Sequence, residues 1–447
     1  MNRTDQPILA AWRETVRRQP SQAAVFGADG VVLRTFSDVE KESATLAEAI
    51  PGGEGIALVE LGNHPSLPAV LLALWRADRT VVLAEPGASA SLVGITLRVV
   101  RGPAGEVLFS ETGQPAQTLA ADFLKLTSGT TGTPRAIRFS AAQLLADCTA
   151  VCDTMGIGAG DLNYGVISWA HSYGFSNLVL PLLCRGVPVV ATEDRLPRAI
   201  LDGLARTGAT VFPSVPVFFQ KLAALAAAPL PKLRLCISAG APLSATVAAG
   251  FRQSFGVKVH SFYGSSECGG ICYDASADAV PEGFVGPPMR GVRLVVSEGR
   301  IEVHSPAAAL GYWPESDDAV LGNGRFTPED LVEQTGAGIT LKGRVSDFIN
   351  IAGRKLNPAE LEAVLREHPA VRECVVFGVP SAVRGEEPVA CVVADAPPEE
   401  LLAFAAARLP AWQAPKHIWP VPALPVNERG KLSRRALAER WFDIREA

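Results

Sequence analysis

The sequence predicts an α/β fold: a large N-terminal domain with doubly wound sheets and a small C-terminal α+β domain. Three observations carry this expectation. The chain has 447 residues, too many for one ordinary core, so two or three domains are expected. Ala/Leu-rich helical stretches alternate with short β-branched runs, the rhythm of parallel sheets. Near Arg344 to Asp347 the texture changes, with antiparallel-looking strands before it and a capped helix after it. The domains are therefore set at 1–345 and 346–447.

Taken in order, Ile8–Val16 reads as an amphipathic helix. Gly55–Leu61 (GIALVEL) has the unbroken apolar run of a buried strand, and Leu67–Trp75 reads as the helix that follows. Thr80–Leu83 (TVVL) is the next strand, followed closely by Pro86-Gly87. The alternation continues through Val189–Ala191, where Pro188 suits a strand start, then Thr210–Phe212 and Leu233–Ser238. Leu294–Val296 and Arg300–Val303 read as antiparallel strands. Past the boundary, Asn357 can cap a helix, Pro358 suits its first turn and Glu360 completes a capping box. Leu361, Val364 and Leu365 then form its apolar face. Gly156–Asp161 (GIGAGD) faintly resembles a dinucleotide fingerprint, but Asp161 leads into a strand, so the segment reads as a turn.

Composition narrows the function. Hydrophobic residues make up 48% of the chain, ample for buried sheets, and the net charge of -5 argues against nucleic acid as the main partner. The eight cysteines show no paired-cluster spacing, and no signal-peptide pattern opens the chain. Free thiols and a cytoplasmic setting are expected. Cys268 and Cys272 have no second pair or His cluster to complete a zinc site. The longest apolar runs, such as Leu67–Trp75, are too short to span a bilayer, so no transmembrane segment is expected.

The chemistry begins at Leu126–Arg135, LTSGTTGTPR. Thr127, Ser128, Thr130, Thr131 and Thr133 supply hydroxyls, and Gly129 and Gly132 free the backbone to turn its N–H groups toward an anion. Arg135 adds fixed positive charge. This is a phosphate cradle in chemical character, though not a Walker A loop, because the GK[ST] tail is missing. The alternative is a solvated Ser/Thr/Gly turn; the apolar strands flanking it (Phe123, Leu124, Leu126; Ala136, Ile137, Phe139) speak against that.

The loop closely resembles the phosphate-binding signature of the adenylate-forming superfamily: acyl-CoA synthetases, aryl-CoA ligases, luciferases and the adenylation domains of peptide synthetases. Further segments extend the resemblance over essentially the whole chain. They are Tyr263–Glu267 (YGSSE), Asp330 in RFTPEDL, Arg344 in GRVSD, Gly311-Tyr312-Trp313, Val285–Pro288, Leu235–Leu243 and Pro425–Leu432 with its Gly430-Lys431.

The resemblance implies roles. Thr127, Ser128, Gly129, Thr130, Thr131 and Gly132 would hold the phosphates of ATP. Tyr263, Gly264, Ser265 and Ser266, with Ala239, Gly240, Ala241 and Pro242, would surround the nucleotide. Glu267 would offer a carboxylate to Mg²⁺, a hard ion that must bridge protein and phosphate oxygens. Asp330 and Arg344 would reach the ribose. Lys431 is the expected catalytic cation, assisted by Thr127 and Arg135, because joining a carboxylate to an α-phosphate brings two anions together. His171, Tyr173, Gly174, Ser214, Gly264 and Gly269 would wall the acyl pocket. Amino-acid-activating members carry an Asp near the first of these; Trp169-Ala170-His171 offers no acid, which favours a non-amino carboxylic acid, aryl or fatty. Ser346 would be the hinge of a mobile C-terminal domain, and Gly353 would line a thiol tunnel.

The implied function is ATP-dependent formation of an acyl-adenylate with release of pyrophosphate, followed by transfer to the thiol of coenzyme A. Loading of an acyl carrier protein's phosphopantetheine is the nearest alternative. A non-catalytic nucleotide-binding relative is the alternative of another class, and an ATP hydrolase a third. Several departures mark a divergent branch: Arg135 for the usual Lys, Ala136 for Gly, Ser266 for Thr, Ser346 for an acidic hinge, Pro328-Glu329 before Asp330, and a short stretch between Pro86 and Leu126.

Overall fold

The structure, a computed structural model, describes residues 6–87, 92–126, 135–225, 229–381, 383–425 and 432–446. Thr127 to Gly132 and Lys431 lie outside the described residues. The chain divides into two compact units. The larger comprises Met1–Val295, Glu302–Pro328 and Gly336–Ile339; the smaller comprises Val296–Ile301, Glu329–Thr335 and Thr340–Ala447. Asp330 and Arg344 therefore belong to the smaller unit.

Two sheets organise the larger unit. One runs Gly269–Tyr273, Val259–Ser265, Leu235–Ser238, Val211–Ser214, Asn163–Gly165, Val189–Ala191, Ala23–Gly27, Val32–Thr35. Its six inner strands are parallel and its two edge strands antiparallel. The other runs Gly311–Trp313, Ala136–Phe139, Phe123–Leu126, Thr80–Leu83, Ile56–Glu60, Ile95–Arg101, Val107–Glu111. Here the four strands from Phe123–Leu126 to Ile95–Arg101 are parallel.

Burial explains the sequence patterns. Every residue of Ile56–Glu60 is buried, as expected for a parallel strand covered on both faces. Even Glu60 is buried, ion-paired to Arg98 at 2.5 Å. The helix Leu67–Arg76 is buried through Trp75, which is why its sequence is apolar all round. Phe123 stacks on Phe175 with centroids 4.3 Å apart, joining the second sheet to the helical segment that follows Gly165 in the first.

The expected elements appear with small shifts that have physical causes. The strands begin at Val211 and Leu235 instead of Thr210 and Leu233. Thr210 and Arg234 instead turn their side chains to Asp161, at 2.8 Å and 2.6 Å. The Gly156–Asp161 turn is thus a polar knot binding three strand entrances. The helix Pro358–Arg366 is capped by Asn357, whose Oδ1 accepts from Ala359 N at 3.1 Å, two residues on, where a capping box would engage the third. Leu361 and Leu365 are buried but Val364 is half-exposed; the buried neighbour is Glu362.

In the smaller unit a sheet is built on the long hairpin Val371–Ser381 and Gly385–Ala394, with Ile349–Ile351, Arg354–Leu356 and His417–Pro420. Alternate residues feed two cores. Cys374 and Val376 pack with Leu361, Leu365 and Leu401. Val375 and Phe377 pack with Trp419, Leu437 and Trp441.

Candidate active site

Ligands of open parallel sheets bind beyond the carboxyl ends of the strands. In the larger unit those ends include Leu83, Leu126, Gly165, Ser214, Ser238 and Ser265. Most of the expected site residues follow directly after them.

The turn after Ser265 is held by its own hydroxyl, which accepts from Glu267 N and Cys268 N, both at 3.2 Å. This leaves Tyr263 buried and Glu267 half-buried at the tip. Ser172 Oγ donates to Ser266 Oγ at 2.9 Å, so the segment after Trp169 is fastened to this turn. Tyr173 leans on Phe262 (5.8 Å between centroids), and its hydroxyl donates to Ile237 O at 2.9 Å. Gly174 admits no side chain, since a Cβ would lie 1.9 Å from Ser168 O. The helix that begins here carries a π-turn at Phe175–Val179, an irregularity common at functional sites. Ser214 is fully buried; its carbonyl accepts from Ala239 N at 3.2 Å. Ala239 is buried as well, whereas Gly240, at φ +85°, turns the chain outward, and Ala241 and Pro242 follow at the surface side.

Gly264 is exposed, whereas Gly269 is buried at φ +67°, and a Cβ there would meet Asp147 Oδ1 at 2.0 Å. Its missing side chain lets Asp147 approach the turn. The Asp147 carboxylate accepts from Gly270 N at 3.0 Å and Ser176 Oγ at 2.5 Å.

The second sheet contributes Arg135. Its guanidinium lies over the Tyr312 ring at 4.4 Å and its Nη2 donates to Glu315 O at 3.1 Å. Tyr312 OH donates to Glu267 Oε1 at 3.3 Å. A planar guanidinium stacks well on a ring face, which suits an Arg standing where the family resemblance leads one to expect Lys.

Two residues at this site are not legible as site residues in the sequence. Glu85 Oε1 lies 3.3 Å from His171 Nε2. Glu85 pairs with His171 from the other sheet, just past Leu83, and no local pattern announces it. Lys125 is the second. Its amine is buried, has no hydrogen-bond partner among the described residues and sits 4.5 Å from the Phe139 ring. Burial pushes its pKa down, while the carboxylates of Asp147 and Glu267 pull it back up. A lysine inside the strand FLKL was the available signal. Cys268 is no nucleophile here, since burial holds its thiol up at about 12.

In the smaller unit, Asp330 is buried at the start of the strand Asp330–Thr335, and Arg344 Nε donates to its Oδ1 at 2.8 Å. Ser346 is exposed in the 3-10 turn Val345–Asp347. Gly353, at φ +82°, completes a hairpin turn with open space where a Cβ would point. Arg434 is a third residue that sequence reasoning missed. It donates from Nη1 to Asp347 at 2.8 Å, from Nη2 to Glu362 at 2.7 Å and from Nε to Val376 O at 2.8 Å. In the sequence it reads only as part of a basic helix.

Residues 105–313 match the family described as AMP-binding enzyme, and residues 360–431 match the AMP-binding enzyme C-terminal domain. A probable 2-succinylbenzoate–CoA ligase of Mycobacterium tuberculosis is 32% identical, over 88% of this chain and 97% of its own length. Feruloyl-CoA synthase of Amycolatopsis sp is 28% identical, over 97% of this chain and 99% of its own. ATP-bound MatB from Rhodopseudomonas palustris superposes with a TM-score of 0.83 at 23% identity, over 97% of this chain and 99% of that one, a likeness of fold. Together these define an acyl-CoA synthetase-like acid ligase of the adenylate-forming superfamily. The chain belongs to the AMP-binding enzyme family.

Proposed function

We propose that the protein activates an aryl-type, non-amino carboxylic acid with ATP, releasing pyrophosphate, and transfers the acyl group from the adenylate to coenzyme A. The observation that carries this reading is the fastening of His171–Tyr173 to the Tyr263–Glu267 turn through Ser172 and Ser266 (2.9 Å). Acid-binding and nucleotide-binding segments thereby share one rigid corner at the carboxyl ends of the strands. The curated relatives named for aromatic acids, feruloyl-CoA synthase and 2-succinylbenzoate–CoA ligase, support an aryl substrate.

In this reading, Thr127–Gly132 and Arg135 grip the phosphates, Tyr263 packs on the base, and Asp330 and Arg344 hold the ribose. Lys431 lies between the acid's carboxylate and the α-phosphate as they approach, offsetting their repulsion as a mobile point charge. Glu267 fits Mg²⁺: it is a half-buried hard donor at an open turn, and that ion takes one or two carboxylates and completes its shell with phosphate and water. Bound there, the ion would draw charge from the phosphate oxygens. After adenylation the C-terminal domain turns about Ser346 and brings Gly353 beside the incoming thiol. A cytoplasmic setting is supported by eight cysteines that are all buried free thiols.

The test is thioester formation across benzoate, hydroxycinnamates, short-chain and long-chain acids, with coenzyme A and a purified carrier protein as rival acceptors. Thioesters of aryl acids on coenzyme A are expected. Transfer to the carrier protein alone would move the acceptor assignment, and ATP consumption without any acid would indicate a hydrolase.

A further inference from the structure

Tyr312 stands between two groups that the proposed chemistry needs on the same nucleotide. Its ring face carries the Arg135 guanidinium at 4.4 Å, and its hydroxyl donates to Glu267 Oε1 at 3.3 Å. The placement of Tyr312 is rigid. The strand Gly311–Trp313 pairs antiparallel with Ala136–Phe139, setting Tyr312 opposite Ile137 and Trp313 opposite Ala136, directly beside Arg135. Leu310 N donates to Arg138 O at 2.8 Å, and Ala309 N donates to Glu267 O at 2.9 Å. The segment Ala309–Trp313 is therefore stitched to the Glu267 turn at its start and to the strand after Arg135 along its length.

Two kinds of contact, with separable chemistry, meet on one side chain. A guanidinium over an aromatic face is attracted by the ring quadrupole, which fixes the plane in which its N–H groups point. A phenol O–H on a carboxylate fixes which oxygen faces outward and lowers the freedom of a side chain that would otherwise swing at an open turn.

We infer that Tyr312 is a positioning residue that couples the phosphate-binding Arg135 to the metal-binding Glu267. Its hydroxyl sets the affinity for Mg²⁺ and its ring sets the affinity for the phosphates. The inference rests on the roles given above to Arg135 and Glu267. It accounts for Arg135 standing where the family resemblance leads one to expect Lys: a compact, strongly hydrated ammonium would gain less from the ring.

Equilibrium binding of ATP, measured calorimetrically without any acid and at stepped Mg²⁺ concentrations, separates the two contacts without turnover. Tyr312→Phe keeps the ring and removes the hydroxyl. It should raise the Mg²⁺ concentration for half-maximal ATP binding about tenfold, the usual cost of losing a residue that orients a metal ligand. ATP affinity at saturating Mg²⁺ should be unchanged. Tyr312→Leu should in addition weaken ATP binding at saturating Mg²⁺, and combining it with Arg135→Ala should add nothing beyond Arg135→Ala alone. A wild-type Mg²⁺ midpoint in Tyr312→Phe, alongside a shifted midpoint in Glu267→Gln, would overturn the inference and leave the functional reading standing. A wild-type midpoint in Glu267→Gln as well would overturn the metal role of Glu267 and this inference with it.

Discussion

Arg344 Nε donates to Asp330 Oδ1 at 2.8 Å, so two residues each expected to reach the ribose hold one another. Asp330 is the buried member and Arg344 the exposed one, with 12% and 60% of their side-chain surfaces accessible. In the proposed reading the pair serves as a clamp for an incoming diol rather than as a strut, since an ion pair with one exposed partner contributes less than about 1 kcal/mol to stability. A charge-assisted bond to a bound hydroxyl is worth about 1.5–3 kcal/mol. Asp330→Asn should therefore weaken ATP binding about tenfold or more and leave the denaturant midpoint nearly unchanged. A large loss of stability with normal ATP affinity would make the pair structural.

Arg434 has the opposite character. It joins Asp347, beside the expected hinge Ser346, to Glu362, of which only 6% is exposed. Removing the cation leaves a buried carboxylate met, among the described residues, by Arg366 and the Val376 amide. Arg434→Met should destabilise the smaller unit by about 3 kcal/mol. The fluorescence of Trp419 and Trp441, 5.7 Å apart in its core, reports that unfolding. An unchanged urea midpoint would show that the network is dispensable.

Lys125 predicts a gain. An amine buried without a hydrogen-bond partner costs stability, and a well-packed apolar side chain of similar volume is often better by about 1–4 kcal/mol. Lys125→Met should raise the unfolding midpoint. A lower midpoint would mean that the amine compensates Asp147 across the gap.

Acid should weaken the fold in two stages. Burial lowers the pKa of His260 against the pull of its bond to Asp274 O, and burial followed by Arg101 lowers that of His64. Both return toward 6.5 on unfolding, so the unfolded chain binds more protons and stability falls as pH drops from about 6.5 through the folded values. Burial pushes Asp161 up, but its bonds to Arg234, Gly158 N and Thr210 outweigh this and hold it below 3.8. Its contribution is present above that value and is lost as pH falls further. Urea midpoints at pH 8, 6, 5 and 3.5 should fall first below about 6.5 and again below about 4; a flat profile from pH 7.5 to 5 would contradict the histidine assignments.

Much of this was legible in the sequence, because local pattern carried it. Thr80–Leu83 and Val189–Ala191 are strands to the residue, and Leu67–Trp75 is the buried helix that its all-apolar face announced. Features that depend on distant approach were hidden. Glu85 meets His171 from another sheet, Tyr312 meets Glu267 and Arg135 across a strand pairing, and Arg434 meets Asp347 and Glu362 from the last helix. No spacing rule links such residues; only the folded topology brings them together. The exchange of Val364 for Glu362 on the buried face has the same cause, since Arg434 and the Val376 amide make a buried carboxylate tolerable.

In the proposed reaction Lys431 brings the carboxylic acid and ATP together. Acid-dependent exchange of labelled pyrophosphate into ATP measures that step alone. Wild-type protein should exchange label with an aryl carboxylic acid and not without one, and Lys431→Ala should reduce the rate by roughly 10²–10³-fold while ATP still binds. Exchange that survives Lys431→Ala at the wild-type rate, or no exchange with any acid of a broad panel, would contradict the proposed reaction.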